Sequence, residues 1–332
     1  MREGGMSEKM KKKNRQNSVL MGMLIFIVIA FAVTLGGFAI LRRQMAKTDL
    51  EETKEQSYEA HYAFIVDNPE DEYWQQVYEA AKEEGKKQNI YVEQIFENVS
   101  QSYETKEYMD IAIAEKVDGI LLQSSSKSVG PEMNAAMEAG IPVVTMLHDN
   151  YSGRRCAFVG VNDSSLGDSY AELIQENISK KKKDVLLLMK KRGNLGDNNL
   201  VLQTIRRKVQ GAKIRVQLLE GEDEFATEKA VRNCILDEKQ CPDVLVSLSL
   251  EGTAYAYQAV VDYSKVGSVK IIGAYENDEI RRGLEKKVIA ASVAIDSEAI
   301  GKTAIQALQE YKKNGIVNEY QMIQQNVIRG GK

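Results

Sequence analysis

Residues 117–167 read VDGILLQSSSKSVGPEMNAAMEAGIPVVTMLHDNYSGRRCAFVGVNDSSLG, and this stretch decides the fold. VDGILLQ (117–123) is a short apolar run of strand length, and 131–139 follows as a helix. IPVVTML (141–147) and CAFVGV (156–161) are two more apolar strands, and a further helix runs to about Ser179. Strands that are apolar throughout belong to parallel sheets covered on both faces. The second and third strands have only residues 148–155 between them, which is no room for a covering helix. That gap argues against a (β/α)8 barrel, the nearest alternative.

The alternation extends in both directions. Upstream, HYAFIVD (61–67) is a strand. Residues 70–88 form a helix with Trp74, Val77, Tyr78 and Ala81 on one stripe, NIYVEQIF (89–96) is a strand, and 103–116 is a helix. Downstream, strands are expected at 184–190, 212–220, 243–249, 269–275, 288–294 and 320–328. Helices are expected near 198–209, around Ala230 to Ile235, at 252–264 and at 297–313. Roughly ten strands exceed one ordinary sheet, so the expected fold is α/β, two doubly wound parallel-sheet lobes.

Composition sets limits on function. Three Cys and two His in 332 residues leave too little for a disulfide scaffold or a metal centre. No cofactor is implied. The formal net charge of −4 hides an asymmetry: residues 1–43 carry eight basic residues against Glu3 and Glu8, or +6, and the remainder carries 36 against 46, or −10. Between them Asn17 to Leu41 is free of charge, NSVLMGMLIFIVIAFAVTLGGFAIL. As a helix this run is about 37 Å long, enough for a hydrocarbon core of about 30 Å. The basic flank places the N-terminus in the cytoplasm. The expected order is a cytoplasmic tail (1–17), a single transmembrane anchor (18–41), a short charged stalk (42–60) and an extracellular body. A cleaved signal peptide is the alternative, and the length of the apolar run argues against it.

In open parallel sheets ligands sit beyond the carboxyl ends of the strands. That rule selects Asp67 and Asn68, Gln123 to Ser126, His148 and Asp149, Asn162 and Asp163, Lys190 to Arg192, Ser249 to Glu251, Tyr275 and Glu276, and Ile295 and Asp296.

The motifs VDGILLQ, AMEAGIPVVTML and FVGVNDSSLG, followed by IIGAY and AASVAIDSEAIG, lie in order and at the spacing seen in the type I periplasmic binding proteins. From His61 to about Arg329 the chain resembles this superfamily, which includes ribose-binding protein and the effector domains of lactose-repressor-like regulators. The resemblance implies two Rossmann-like lobes, three crossovers and a ligand in the hinge cleft. The crossovers are expected near 161, 275 and 315, giving lobe 1 as 61–161 with 275–315 and lobe 2 as 162–274 with 316–332. Where family regulators carry a DNA-binding helix-turn-helix, this chain has the anchor, so no nucleic-acid partner is expected.

The resemblance also implies an aromatic pair that stacks on a sugar ring, and Tyr73 and Trp74 match it; Trp74 also fits as the first core residue of its helix. The family's polar code departs here. The usual Asp-Arg after GIPVV is Leu147-His148, with Asp149 next. The expected Arg after residue 190 is absent, and Asn198 and Asn199 are the nearest polar residues. The usual Asn-Asp after 243–249 is Ser249-Leu250, the Asp after IIG is Tyr275, and the polar residue near 295 is Ile295. Asn162-Asp163 keeps the family's polar character. With Asp67, Asp71, Gln123, Ser124, Arg192 and Glu251 these complete the candidate ligand set. Asp67, Glu70, Asp71 and Glu72 face Lys190, Lys191 and Arg192 across the expected cleft, as attracting edges or as solvated loops.

The resulting expectation is a non-enzymatic, membrane-anchored extracellular receptor for a small polar solute, sugar or sugar-like. It would serve an ABC-type permease or report to a membrane partner such as a sensor histidine kinase. The alternative is an interaction module with a degenerate cleft. Cys156 and Cys234 read as buried thiols, with a Cys234–Cys241 disulfide left open. His148 reads as a loop residue or a pH-sensitive contact.

Overall fold

The computed structural model describes residues 58–98, 103–180, 183–190, 200–219 and 224–330. The expected tail, transmembrane anchor and stalk residues 42–57 lie outside these residues. Among the described residues no helix is long and apolar enough to cross a membrane.

The body, residues 58–332, is one compact unit. It opens with β1 (Ala60–Val66), α1 (Glu72–Lys87), β2 (Ile90–Gln94), α2 (Thr105–Glu115), β3 (Gly119–Gln123), α3 (Gly130–Glu138), β4 (Val143–Leu147) and β5 (Ala157–Gly160). A second series follows: α4 (Asp163–Asn177), β6 (Asp184–Lys190), α5 (Leu200–Lys208), β7 (Lys213–Leu219), α6 (Glu224–Leu236), β8 (Val244–Ser247), α7 (Leu250–Asp262), β9 (Lys270–Ala274), α8 (Asp278–Glu285) and β10 (Ile289–Ile295). The chain closes with α9 (Ser297–Asn314), β11 (Tyr320–Met322) and β12 (Gln325–Arg329).

The strands form two six-stranded sheets of matching order, β2-β1-β3-β4-β5-β11 and β7-β6-β8-β9-β10-β12. Every residue of β3, β4, β5 and β8 is buried, because helices cover both faces of each sheet. Among the described residues all strand pairings are parallel but one: β12 runs antiparallel to β10. β11 leaves the first sheet in the strand direction, and two residues later the chain enters the second sheet against the strand direction. A chain does this only where the carboxyl ends of the two sheets face each other.

Two expected crossovers lie elsewhere. The chain returns to the first lobe after Ile295, not near 275, because β10 pairs with β9 in the second sheet. It crosses again between Met322 and Gln325, not near 315, because β11 pairs with β5. Residues 275–295 therefore belong to the second lobe and 316–322 to the first. The last expected strand, 320–328, is two strands in two sheets. α8 was not expected; with only Ile280, Gly283 and Leu284 buried, its stripe is too short to read. α9 packs along α1, and a Cβ at Gly301 would collide with the Val77 carbonyl.

Candidate functional site

The loops at the facing strand ends form the candidate site. Several of these loops lead into a helix, whose first N–H groups need acceptors. That need claims several of the candidate polar residues. Asp71 Oδ1 accepts from Tyr73 N at 3.0 Å, capping α1. Asn162 Oδ1 accepts from Ser165 N at 3.0 Å, capping α4. Ser249 Oγ accepts from Gly252 N at 3.2 Å, capping α7.

The two central carboxylates are committed to lobe 1. Asp67 accepts from Thr105 Oγ1 at 2.8 Å, Ser124 Oγ at 2.7 Å, Ser125 N at 2.7 Å and Ser125 Oγ at 3.0 Å. Gln123 Oε1 accepts from Asp67 N at 3.1 Å. Asp149 accepts from Arg155 Nε at 2.6 Å, from the Arg155 Nη2 and from Thr145 Oγ1 at 2.9 Å. Burial alone would lower the Arg155 guanidinium, but its bonds and charge attraction to Asp149, with bonds to Tyr320 and Glu319, together outweigh this and hold it above the ordinary arginine range. A polar ligand reaching Asp67 or Asp149 would have to displace existing bonds of equal quality.

The aromatic residues meet across the cleft. Tyr73, at the start of α1, has its ring centroid 4.3 Å from that of Tyr275, just past β9 in the other lobe. Trp74 stands edge-on to Tyr73 at 5.5 Å and lies 6.5 Å from Phe64 in the core of the first lobe. The Tyr73 hydroxyl is buried and has no hydrogen-bond partner among the described residues. Burial, then the neighbouring Tyr275, Asp296 and Asp71, push its pKa well above the ordinary tyrosine value.

Two polar contacts also join the lobes. His148 Nδ1 lies 3.1 Å from Asp163 Oδ1 at the first crossover. Asn277 Nδ2 donates to Glu72 Oε2 at 2.8 Å while its Oδ1 accepts from Ile280 N and caps α8. Glu251 lies in the first turn of α7. Arg192, Asn198 and Asn199 lie outside the described residues, as does Lys191. Cys156, Cys234 and Cys241 form no disulfide with one another, so the Cys234–Cys241 bridge is absent. Burial pushes the Cys156 thiol up to about 12.

Sequence reasoning missed Asn150, Arg155 and Asn277. Asn150 is buried, and its Nδ2 donates to the Ser124 and Ser126 carbonyls at 2.9 Å each, tying the loop after β3 to the loop after β4. An Arg beside an apolar strand was the one available signal, since a buried guanidinium calls for an acid nearby.

A family model described as a periplasmic binding protein domain matches residues 62–315. A search of curated proteins gave no significant match. Among solved structures, the chain is similar to GanP, a glucose-galactose binding protein from Geobacillus stearothermophilus. Identity is 22%, the TM-score 0.69, and the match covers 82% of this chain and 97% of that one. XylFII, solved alone, matches at 21% identity and a TM-score of 0.69, covering 82% of this chain and 99% of that one. It also matches within a XylFII-LytSN complex, at 22% identity and a TM-score of 0.68, covering 82% and 98%. Identities this low speak for the fold, while the family model spans most of the chain. With its two facing parallel sheets and its five motifs in order, the chain belongs to the periplasmic binding protein domain family.

Proposed function

We propose that this protein is a membrane-anchored, extracellular solute-binding receptor. The observation that carries the reading is the meeting of Tyr73 and Tyr275 between facing strand ends, where an aromatic face can pack on the C–H groups of a sugar-like solute. The charge-free run from Asn17 to Leu41 and its basic flank support the anchor and the outward body. No catalytic role is proposed.

The body serves either uptake through a permease or sensing through a membrane partner. A short stalk favours sensing, since it keeps the body at the bilayer. XylFII, similar in fold, forms a complex with LytSN, and that precedent supports a protein partner here.

One observation favours a second reading, an interaction module whose cleft no longer takes a solute: Asp67 and Asp149 are already satisfied within lobe 1. Trp74 is the sole Trp and touches Tyr73, so it reports on the cleft. The full chain in detergent is titrated with sugars, polyols and nucleosides, with fluorescence and thermal shift recorded. A saturable response supports the receptor. No response at millimolar solute supports the interaction module.

A further inference from the structure

In a cleft built to need its ligand, closure without ligand would bury unpaired charge. This cleft lacks that penalty at its two central carboxylates. Asp67 has four donors from Thr105, Ser124 and Ser125, and Asp149 is paired with Arg155 and Thr145. Besides the His148–Asp163 contact at the first crossover, what the lobes bring together is mainly aromatic and apolar. Tyr73, Trp74 and Leu147 of the first lobe and Met189, Val293 and Ile295 of the second belong to one continuous core cluster, with Tyr275 packed against it. At the rim, Asn277 of the second lobe donates to Glu72 of the first.

We propose that the two lobes rest closed on each other without any ligand, clasped by the Tyr73–Tyr275 ring pair. The rings carry the clasp and the Glu72–Asn277 bond only marks its register, because an exposed hydrogen bond competes with water. The buried Tyr73 hydroxyl has no partner among the described residues in this state. Its exposure to water rewards opening, so the clasp is reversible. The inference rests on the reading of the cleft as the functional site, and it concerns the protein without solute.

The test joins the two sides of the rim. Glu72→Cys and Asn277→Cys are introduced together into the full chain, which is unfolded and refolded in solute-free buffer to strip small molecules. Disulfide formation under mild oxidation is followed by gel shift against the parent chain. The clasp requires rapid cross-linking with no solute present. Adding Tyr275→Ala slows it about two- to tenfold, the worth of an aromatic pair, and Tyr275→Phe leaves it unchanged. Cross-linking only after a sugar is added, or an unchanged rate with Tyr275→Ala, overturns the proposal. The unmodified chain supplies a second measure: acrylamide quenching of Trp74 without solute is weak, and Tyr275→Ala increases it. Strong quenching in the parent overturns the clasp. A failed sugar titration would overturn the receptor reading and leave both solute-free measurements standing.

Discussion

Leu147 and Tyr275 hold equivalent positions in the two lobes, each just past the fourth strand of its sheet or at its end, and both adopt a left-handed backbone, with φ of 67° and 64°. Most other non-glycine residues with positive φ follow a helix, where one left-handed residue is ordinary. Bulky residues at strand ends have no such excuse, and such strain concentrates at functional sites. His148 N donates to the Met146 carbonyl at 2.9 Å and Tyr275 N to the Val293 carbonyl at 2.8 Å, which hold the two turns. Both lobes thus present an apolar side chain at the strand end nearest the cleft.

The two positions respond differently to truncation. Leu147 is 1% exposed, so Leu147→Ala leaves a cavity and costs about 2–5 kcal/mol. Tyr275 is half-buried, and Tyr275→Ala costs nearer the 0.5–1.5 kcal/mol of an aromatic pair. Urea unfolding monitored by circular dichroism measures both, and equal costs would refute the difference in burial.

Gln94 offers a gain in stability. It is 1% exposed, and neither side-chain amide atom has a partner among the described residues. Gln94→Met removes a buried unsatisfied amide and should stabilise the body by about 1–3 kcal/mol. A lower urea midpoint in the variant would mean that the amide is satisfied after all.

Arg155 and Asp149 form a buried pair, with side chains 7% and 4% exposed. Asp149→Ala leaves the guanidinium with only the exposed Glu319 carboxylate, 3.1 Å from its Nη1, and should cost about 3 kcal/mol. The double variant Asp149→Ala with Arg155→Leu should recover part of that loss, since no charge is then left buried. A double variant less stable than Asp149→Ala alone would contradict this.

Acid stability has an identifiable source on the α1–α9 contact. The Glu84 carboxylate accepts from Gln306 Nε2 at 3.1 Å and from Gln88 Nε2 at 2.8 Å. The Gln306 bond is the main reason its pKa lies below the ordinary glutamate value, outweighing the effect of burial, with Gln88 and Lys87 adding to it. A carboxylate with a lowered folded pKa contributes stability that is complete above the unfolded value of about 4.3 and is lost as pH falls through the folded value. Gln306→Leu should therefore weaken the body at pH 6 and flatten the decline below pH 4.5. Parallel curves for parent and variant across that range would refute the assignment.

The strands of the core were legible because burial on both faces leaves a run of Val, Ile and Leu, as in Val143 to Leu147 and Val185 to Met189. Which sheet a strand joins was not legible, because such a run looks the same in either lobe. By sequence Ile289 to Ile295 fits either lobe for that reason, and Tyr320 to Arg329 reads as one strand because two residues suffice to cross between facing sheets.

The candidate site divides in the same way. The residue types at the strand ends were readable, since the direction of a parallel sheet tells which loops can meet a ligand. Their use was not. Asp67 became the acceptor of Ser124 and Ser125 through the pairing of β1 with β3, and Asp149 met Arg155 where the chain turns from β4 to β5. The local pattern of apolar and polar residues determined most of the elements, their order and the charge-free run from Asn17 to Leu41, because those follow from period and length along the chain. Only the tertiary structure decided that Tyr73 faces Tyr275 and that the carboxylates are spent, because a hydrogen bond or a ring contact depends on residues brought together from far along the chain.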